Sequence, residues 1–438
     1  MNDPRGTTAA PACGHHLTSA PVPVCEHLLT TTEPLYQYVH FTGDGTGQAR
    51  VCQDCVPPTD VGPMVRVTPL CAPCADAATR GLLGTRGHPG PVERPRPTDP
   101  TVVRSPLPTA LGPVTDLAPG GAAGGWLLLL TDGTLVRWHP GDEHWQELAR
   151  TTVALPPDAR TWGDMVPALR LHAGADGRYA AVVQDHVDEE SLGQVLDLTT
   201  GAVTMSLSGG TYRTYTVPFS LAFTEHQGRT LLVHRTDWNR LDVSDPADGT
   251  LLTDRELDED RSLDYFHGAL HVSPDGRRIA DDGWIWQPVG APSLWSLHHW
   301  LTENPYESED GPSRRDPLQP DYLWNRPMVW LDGERLALGG LGDDSAWLRP
   351  GALVLHVDDL AGALNTPLRL TAFAGPDGPF FAVDGLLYAA TPEGLTVWDP
   401  TDGARLATVP GFHPTHHHRP AGELASLVDG ALHRWTIN

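Results

Sequence analysis

The protein has no lysine, so all 30 of its Lys+Arg residues are arginine. A phosphate-binding loop ending in Gly-Lys-Ser/Thr is therefore excluded, and so is Schiff-base catalysis on a lysine amine. Acidic residues number 55, which leaves a formal net charge of −25. Because the arginines are scattered and nucleic-acid binding needs a positive surface, we expect no nucleic-acid partner.

Long apolar runs are also missing. The longest lies near "WLLLL", Trp126–Leu130, far short of the roughly 20 apolar residues that span a bilayer. The N-terminal "MNDPRGTTAAPACGHH" lacks the apolar core of a secretory signal. We therefore expect a cytoplasmic monomer with no membrane partner.

Cysteine is absent after residue 74. The six cysteines are Cys13, Cys25, Cys52, Cys55, Cys71 and Cys74. In a reducing compartment, thiols clustered at short spacing indicate metal ligands rather than disulfides. Two residues between ligands let one tight turn direct both sulfurs at one ion, so the two Cys-x-x-Cys pairs predict a structural zinc site.

Two further half-sites precede these pairs. "CGHH" offers Cys13 with His15 or His16, and "CEH" offers Cys25 with His27. The four pairs suffice for one or two structural zinc ions held by Cys13, His15, Cys25, His27, Cys52, Cys55, Cys71 and Cys74. The pairing stays open between a sequential order and one in which Cys25 and His27 share an ion with the first Cys-x-x-Cys. Disulfides or free thiols are the alternative to zinc.

Three regions differ in composition. Residues 1–87 form the Cys/His-rich module, whose spacing and predicted hairpin resemble a zinc ribbon. Residues 88–113 are rich in proline, which favours a stiff, extended linker, with a ligand for proline-binding domains as the alternative. Residues 114–438 contain short apolar runs separated by Asp-Gly turns, which are strong hairpin signals.

The runs of residues 114–438 group into seven units of about four strands each, spaced by roughly 40 residues, which is typical of propeller blades. The last unit, "GELASLVDGALHRWTIN", is one strand short. A propeller commonly closes its ring by combining strands from both termini, and "TVVRS", Thr101–Ser105, could supply the missing strand. The sequence thus predicts an all-β, seven-bladed β-propeller, with six blades as the alternative.

"LTVWDPTDGARLATV" and "LDVSDPADGTLLTDREL" resemble the third strand, turn and fourth strand of WD-repeat and quinoprotein-like propellers. "HVSPDGRRIAD" is similar to the first and second strands of the same group, and the surrounding region also resembles bacterial propellers with no assigned task. Only Trp398-Asp399 is a literal Trp-Asp pair. The resemblance covers residues 114–438 and implies the propeller fold.

One long insertion, His298 to Pro327, interrupts the repeats. A loop of this length is usually functional or disordered, so we expect either a lid or partner-binding arm, or an irregular insertion packed on its own blade. Aromatic residues dominate interface energetics. The candidate partner-binding residues are Trp300, Tyr306, Tyr322 and Trp324.

The sequence contains no Gly-x-Ser-x-Gly, His-Glu-x-x-His or complete dinucleotide motif, and it predicts no catalytic residue. The favoured hypothesis is a protein-interaction scaffold with an unknown partner. The alternative is a glycosidase-like propeller hydrolase that uses carboxylates of the channel or the insertion. Its candidate acids are Asp264, Asp281, Asp282, Glu309, Asp343 and Asp344. A sugar- or quinone-binding sensor is a third hypothesis. "HPTHHH", His413–His418, could bind a metal, but the favoured expectation is an exposed loop.

Overall fold

The computed structural model of the protein describes residues 101–163, 165–256, 261–286, 289–317, 325–341, 349–357 and 368–437. It also describes short segments at 22–25, 37–41, 48–52, 67–70, 75 and 92–94. None of the helices in these ranges has the length and apolar character needed to cross a membrane.

Four short strands near the N-terminus form a sheet of their own. They are β1 (Val22–Cys25), β2 (Gln37–Phe41), β3 (Gln48–Cys52) and β4 (Val67–Leu70). The strand order is β2-β3-β1-β4, with β2 and β3 antiparallel and β1 parallel to β3.

Seven sheets follow, here called blades 1 to 7. Blade 1 contains β7 (Val114–Pro119), β8 (Trp126–Leu130), β9 (Thr134–Trp138) and β10 (Trp145–Arg150). Blade 2 contains β11 (Ala168–Ala173), β12 (Tyr179–Asp185), β13 (Leu192–Asp197) and β14 (Ala202–Ser208). Blade 3 contains β15 (Leu221–His226), β16 (Arg229–Asp237) and β17 (Arg240–Ser244). Blade 4 contains β18 (Tyr265–Val272), β19 (Arg278–Ile285), β20 (Val289–Gly290) and β21 (Ser293–Ser296).

Blade 5 contains β22 (Met328–Trp330), β23 (Arg335–Leu341), β24 (Arg349–His356) and β25 (Arg369–Ala374). Blade 6 contains β26 (Phe380–Val383), β27 (Leu386–Thr391), β28 (Gly394–Asp399) and β29 (Ala404–Pro410). A two-residue strand, β5 (Val92–Glu93), runs parallel to the outer edge of β29. Blade 7 contains β30 (His416–His418), β31 (Glu423–Val428), β32 (Ala431–Thr436) and β6 (Val103–Pro106).

The first strands of successive blades lie side by side around a ring. β7 contacts β11, β11 contacts β15, β15 contacts β18, β18 contacts β22 and β22 contacts β26. On the other side, β7 contacts β30 of blade 7. The described residues therefore build a seven-bladed, all-β propeller, which confirms the predicted blade number and excludes six.

Blade 7 joins the two ends of the propeller. Three of its strands come from the C-terminal end of the chain, and the fourth, β6, pairs antiparallel with β32 with Ser105 opposite Leu432. Ser105 is buried although β6 is an outermost strand. Separating β6 from β32 would therefore open the ring at this blade.

Apolar side chains of adjacent blades pack against each other and form the core. Between blades 1 and 2, one cluster joins Leu127 and Leu135 to Ala180 and Val182. Between blades 7 and 1, Trp126 and Trp138 pack with residues that include Leu432. Each fully buried large side chain contributes about 1.5–3 kcal/mol relative to exposure, so the blade interfaces hold the ring together.

The Asp-Gly turns are of two kinds. At Asp384-Gly385 and Asp429-Gly430 both residues have positive φ, the combination that a two-residue hairpin of primed type requires. At most of the other predicted Asp-Gly turns only the glycine does, and at Asp332-Gly333 neither residue does. At Asp132, for instance, the carboxylate instead accepts a hydrogen bond from the Thr134 backbone N–H at 3.0 Å. The expectation of two positive φ angles therefore holds for some of these turns and is wrong for others.

Blades 3 and 4 lack a regular outer strand among the described residues. In blade 3 this strand is reduced to a single bridge between Ser244 and Leu251, and in blade 4 to one between Leu294 and Arg315. The insertion begins with a helix, α1 (Leu297–Thr302), whose N-terminus is capped by the Ser296 hydroxyl. The first part of the insertion thus takes the place of an outer strand.

Candidate binding surface

The described half of the predicted partner-binding arm is packed into the propeller. Trp300 is 1% exposed, stands edge-on to Trp295, and donates its ring N–H to the Pro305 carbonyl at 3.0 Å. Tyr306 is half-buried, with the Arg261 guanidinium 4.2 Å from its ring centroid. Tyr322 and Trp324 lie outside the described residues. Partner binding by these four residues stays a prediction, and for Trp300 it would require α1 to leave its blade.

A buried ion network attaches the insertion to blade 3. Arg255 donates to Asp242 at 2.6 Å and to Glu309 at 3.0 Å, and all three side chains are 1% exposed. The Ser308 hydroxyl also contacts the same guanidinium. The insertion up to residue 317 is therefore a wall of blades 3 and 4 rather than a free arm.

Those candidate acids of the hydrolase hypothesis that the structure describes do not converge. Asp281 accepts from His267 at 2.6 Å and from the Gly268 backbone N–H at 2.8 Å. Asp282 follows it in the same strand, so its side chain points to the opposite face, where it accepts from the Arg326 backbone N–H. Glu309 is bound to Arg255. Asp264 is exposed, and Asp343 and Asp344 lie outside the described residues.

The metal prediction falls almost entirely outside the described residues. Cys25 and Cys52 are the last residues of β1 and β3, and the structure describes no side chain for either. Cys13, His15, His27, Cys55, Cys71 and Cys74 are outside the described segments. Within those segments no group of three or more His, Cys, Asp or Glu side chains is arranged to hold a metal.

A group of aromatic residues gathers instead on one face of blades 2 to 4. Five of its members lie on connections and two lie on the strands β18 and β19, all at the ends where the first strand of each blade begins. They are Trp162, Tyr212, Tyr215, Trp238, Phe266, Trp284 and Trp286, here called the aromatic surface. All the Trp, Tyr and Phe side chains that the described residues leave exposed belong to it: Trp162 at 52%, Tyr212 at 47% and Trp286 at 48%.

The rings of the aromatic surface contact one another in sequence. Phe266 stacks on Trp284 with centroids 4.2 Å apart, and Trp238 lies 4.9 Å from Phe266. The Tyr212 ring contacts the rings of Trp238 and Phe266, with centroid distances of 5.2 and 5.6 Å. Phe266 and Trp284 are buried, together with Val217. A buried aromatic base therefore holds the exposed rings in place.

Arg213 connects the remaining rings. Its guanidinium lies 4.8 Å from the Trp286 ring centroid and donates to the Tyr215 hydroxyl at 2.8 Å. This hydrogen bond raises the pKa of Arg213, so the group is a cation near neutral pH. Tyr215 in turn stands edge-on to Trp162 at 4.9 Å. The exposed rings are thus bridged by one internal cation.

The loop that carries Arg213 is held in an unusual backbone conformation. Arg213 has a positive φ of 54°. His186, on the neighbouring loop that follows β12, has a positive φ of 55°. The Thr214 hydroxyl contacts the carbonyls of Val187 and Glu189, both at 2.6 Å, and the His186 ring lies 3.0 Å from the Tyr215 carbonyl. Such strain persists only where the surroundings fix it, and it clusters at functional sites.

Acidic residues border the aromatic surface. Asp188, Glu189 and Glu190 are exposed on the loop that Thr214 contacts. Asp237 is exposed on the other side, where its carboxylate accepts from the Trp238 backbone N–H at 2.7 Å. Carboxylates thus stand on both sides of the loop that carries Tyr212, Arg213 and Tyr215.

Sequence analysis missed this surface because its members come from four separate connections and from the strands β18 and β19. Two local signals were present. Trp284 and Trp286 are two residues apart at the end of a strand, so their rings share a face. The stretch "GGTYRTYT" places Tyr212 and Tyr215 on either side of an arginine in a connection between blades, and such connections usually lie on the protein surface.

A second group of polar residues lies at the centre of the ring, where the first strands of blades 7, 1 and 2 meet. His416 of β30 lies 3.4 Å from Asp116 of β7, and the Leu171 backbone N–H donates to the same carboxylate at 2.9 Å. Burial raises the pKa of Asp116, but the hydrogen bond and charge of His416, together with the Leu171 backbone N–H and the charge of Arg170, outweigh it, and the pKa is lowered. His418 is buried and contacts the Gly125 carbonyl at 3.0 Å. The expectation that His413–His418 form an exposed loop is therefore wrong for the strand His416–His418.

Comparison with known proteins yields similar structures but no relatives. No protein-family model and no curated protein matches the chain. A chain of a mitotic checkpoint complex is 12% identical, with 81% of this chain and 98% of that chain covered and a TM-score of 0.45. The β-propeller domain of Cps50 (Swd1) from Myceliophteria thermophila is 13% identical, with 77% of this chain and 99% of that chain covered and a TM-score of 0.42.

Proposed function

We propose that the protein is an interaction scaffold whose propeller binds a protein partner through the aromatic surface. The observation that carries this proposal is the collection of the exposed aromatic side chains of the described residues in one place. Tryptophan and tyrosine dominate interface energetics, and exposing them costs solubility unless they are covered or used. The buried base of Phe266 and Trp284 supports a preformed site, because the exposed rings rest on fixed neighbours.

The test is affinity capture with a surface variant and a matched control. The double variant Trp162→Ser/Tyr212→Ser changes two exposed side chains, and Val203→Ser/Val428→Ser changes two that are similarly exposed outside the aromatic surface, in the outer strand of blade 2 and in blade 7. A partner captured by the wild type should be lost with the first variant and kept with the second. Retention by both variants would refute binding at the aromatic surface.

We further propose that residues 1–87 hold one or two structural zinc ions in the cytoplasm. Support comes from the four Cys/His pairs in the sequence, because thiols clustered at such spacing are typical metal ligands where they stay reduced. Elemental analysis of the purified protein should find about one or two zinc per chain. The variant Cys71→Ser/Cys74→Ser should lower that number, and a wild type without zinc would contradict the proposal.

A further inference from the structure

We propose that the segment bound by the aromatic surface carries arginine side chains. This inference rests on the proposed function and adds the chemistry of the partner. Three features of the described residues lead to it: rings that are about half exposed, an arginine of the chain itself already bound in the same place, and carboxylates on both sides.

The internal arginine shows what the surface accepts. Arg213 lies 4.8 Å from the centroid of Trp286 and donates to the Tyr215 hydroxyl. A ring face attracts a cation through its quadrupole, and a planar guanidinium can stack on it. Trp162 and Tyr212 contact other rings, yet each is about half exposed. A second guanidinium could therefore occupy them in the way Arg213 occupies Trp286.

The charge around the aromatic surface favours a positively charged partner. Asp188, Glu189 and Glu190 lie exposed on one side of the loop and Asp237 on the other. The whole chain carries a formal net charge of −25, so long-range attraction favours basic segments and repels acidic ones. Arginine fits better than lysine, because its flat group makes a stacking contact and paired hydrogen bonds to a carboxylate at the same time.

The experiment uses the full-length protein and three short synthetic peptides of equal length, in which Gly and Ser alternate with Arg, with Lys or with Glu. Binding is measured by calorimetry at two salt concentrations. We expect the Arg peptide to bind at least about threefold tighter than the Lys peptide, and the Glu peptide not to bind. Equal affinities for Arg and Lys would overturn the inference, because they would indicate non-specific attraction.

Variants locate the binding. The variant Trp162→Ala/Tyr212→Ala should lower the affinity for the Arg peptide by about tenfold or more. The control Val203→Ala/Val428→Ala should leave this affinity unchanged. Glu189→Gln/Asp237→Asn should weaken binding and reduce its salt dependence. Arg213→Asn, which suits the left-handed backbone, frees the face of Trp286 and should strengthen binding. Unchanged affinity in the first variant would refute the site.

The outcomes separate the inference from the proposed function. If a partner is captured through the aromatic surface and the Arg peptide does not compete with it, the arginine chemistry is wrong and the scaffold stands. If a neutral oligosaccharide binds the same rings while the Arg peptide does not, the inference is likewise overturned. If the surface variant loses no captured partner, the proposed function fails first.

Discussion

At the scale of single residues, Arg255 shows how much of this structure depends on buried charge. Its guanidinium stands between Asp242 of blade 3 and Glu309 of the insertion, and none of the three side chains is more than 1% exposed. A complete buried network of this kind is roughly neutral for stability, but removal of one partner leaves charges buried and unpaired.

Replacing Arg255 by methionine should therefore lower the free energy of unfolding by about 3–5 kcal/mol, because the buried Glu309 loses its arginine partner, whereas Asp242 keeps Arg240 at 2.8 Å. Denaturant unfolding followed by tryptophan fluorescence measures the change. Arg150→Met is the control, since Arg150 pairs with Asp132 at a site where both side chains are more than half exposed. It should cost less than about 1 kcal/mol, and a similar loss in both variants would contradict the role of the network.

Two histidines near the ring edge connect stability to pH. Desolvation lowers the pKa of His271 to about 4, against the opposing effect of Asp281, and the Nε2 atom of His271 has no hydrogen-bond partner. Desolvation and the nearby Arg419 likewise lower the pKa of His417 to about 4. Both side chains are therefore neutral in the folded protein near neutral pH.

Acidification should destabilise the protein through these groups. The unfolded chain takes up their protons near pH 6.5, whereas the folded protein takes them up near pH 4. Between these values the unfolded state binds more protons, so stability falls as the pH is lowered through this window. His271→Gln should make that fall shallower in urea unfolding measured at several pH values. A slope as steep as that of the wild type would show that His271 does not contribute.

At the scale of secondary-structure elements, the repeat pattern was predictable where turn and strand signals agree. "LTVWDPTDGARLATV" forms β28, a turn and β29, the third and fourth strands of blade 6, as its resemblance to propeller repeats predicts. "LDVSDPADGTLLTDREL" has the same pattern, yet its fourth strand is reduced to one bridge. There Thr253 and Arg255 turn inward to Asp242. Hydrogen bonds of these side chains to Asp242, and the pairing of Arg255 with Glu309 of the insertion, thus override local strand propensity.

The closing strand β6 offers the sharpest test at this scale. A chain that begins at residue 107 lacks β6, whereas a control that begins at residue 101 keeps it. Without β6, the outer edge of β32 loses its antiparallel partner and the ring loses the pairing that joins its two ends. The shorter chain should melt roughly 5 °C or more below the control, since 1 kcal/mol corresponds to a few degrees at this size. Equal melting temperatures would show that the ring closes without β6.

At the scale of the whole molecule, the net negative charge destabilises the compact folded state. A formal net charge of −25 with 30 basic residues leaves much of the surface acidic, and mutual repulsion of these charges destabilises the folded state. Salt screens such repulsion over about 8 Å at physiological ionic strength.

Added sodium chloride should therefore raise the melting temperature of the wild type by a few degrees between about 0.02 and 0.3 M, as the Debye length shortens. Sodium sulfate at matched ionic strength is the control, because sulfate also acts by exclusion from the protein surface and should stabilise further. A melting temperature that falls with sodium chloride would indicate that specific ion pairs outweigh the net repulsion.

The sequence by itself determined the propeller, the blade number and the candidate ligands of the N-terminal module, because turns, strand periodicity and cysteine spacing are local signals. Only the tertiary structure decided which aromatic residues share a surface. Trp162, Tyr212 and Trp286 lie on three different connections and meet because the blades set those connections side by side. Likewise, the sequence predicted an exposed loop at His416–His418, whereas in the ring these residues form a strand that contacts blade 1. The incomplete last repeat predicted that the ring closes, but no local pattern encodes which side chains then meet across neighbouring blades.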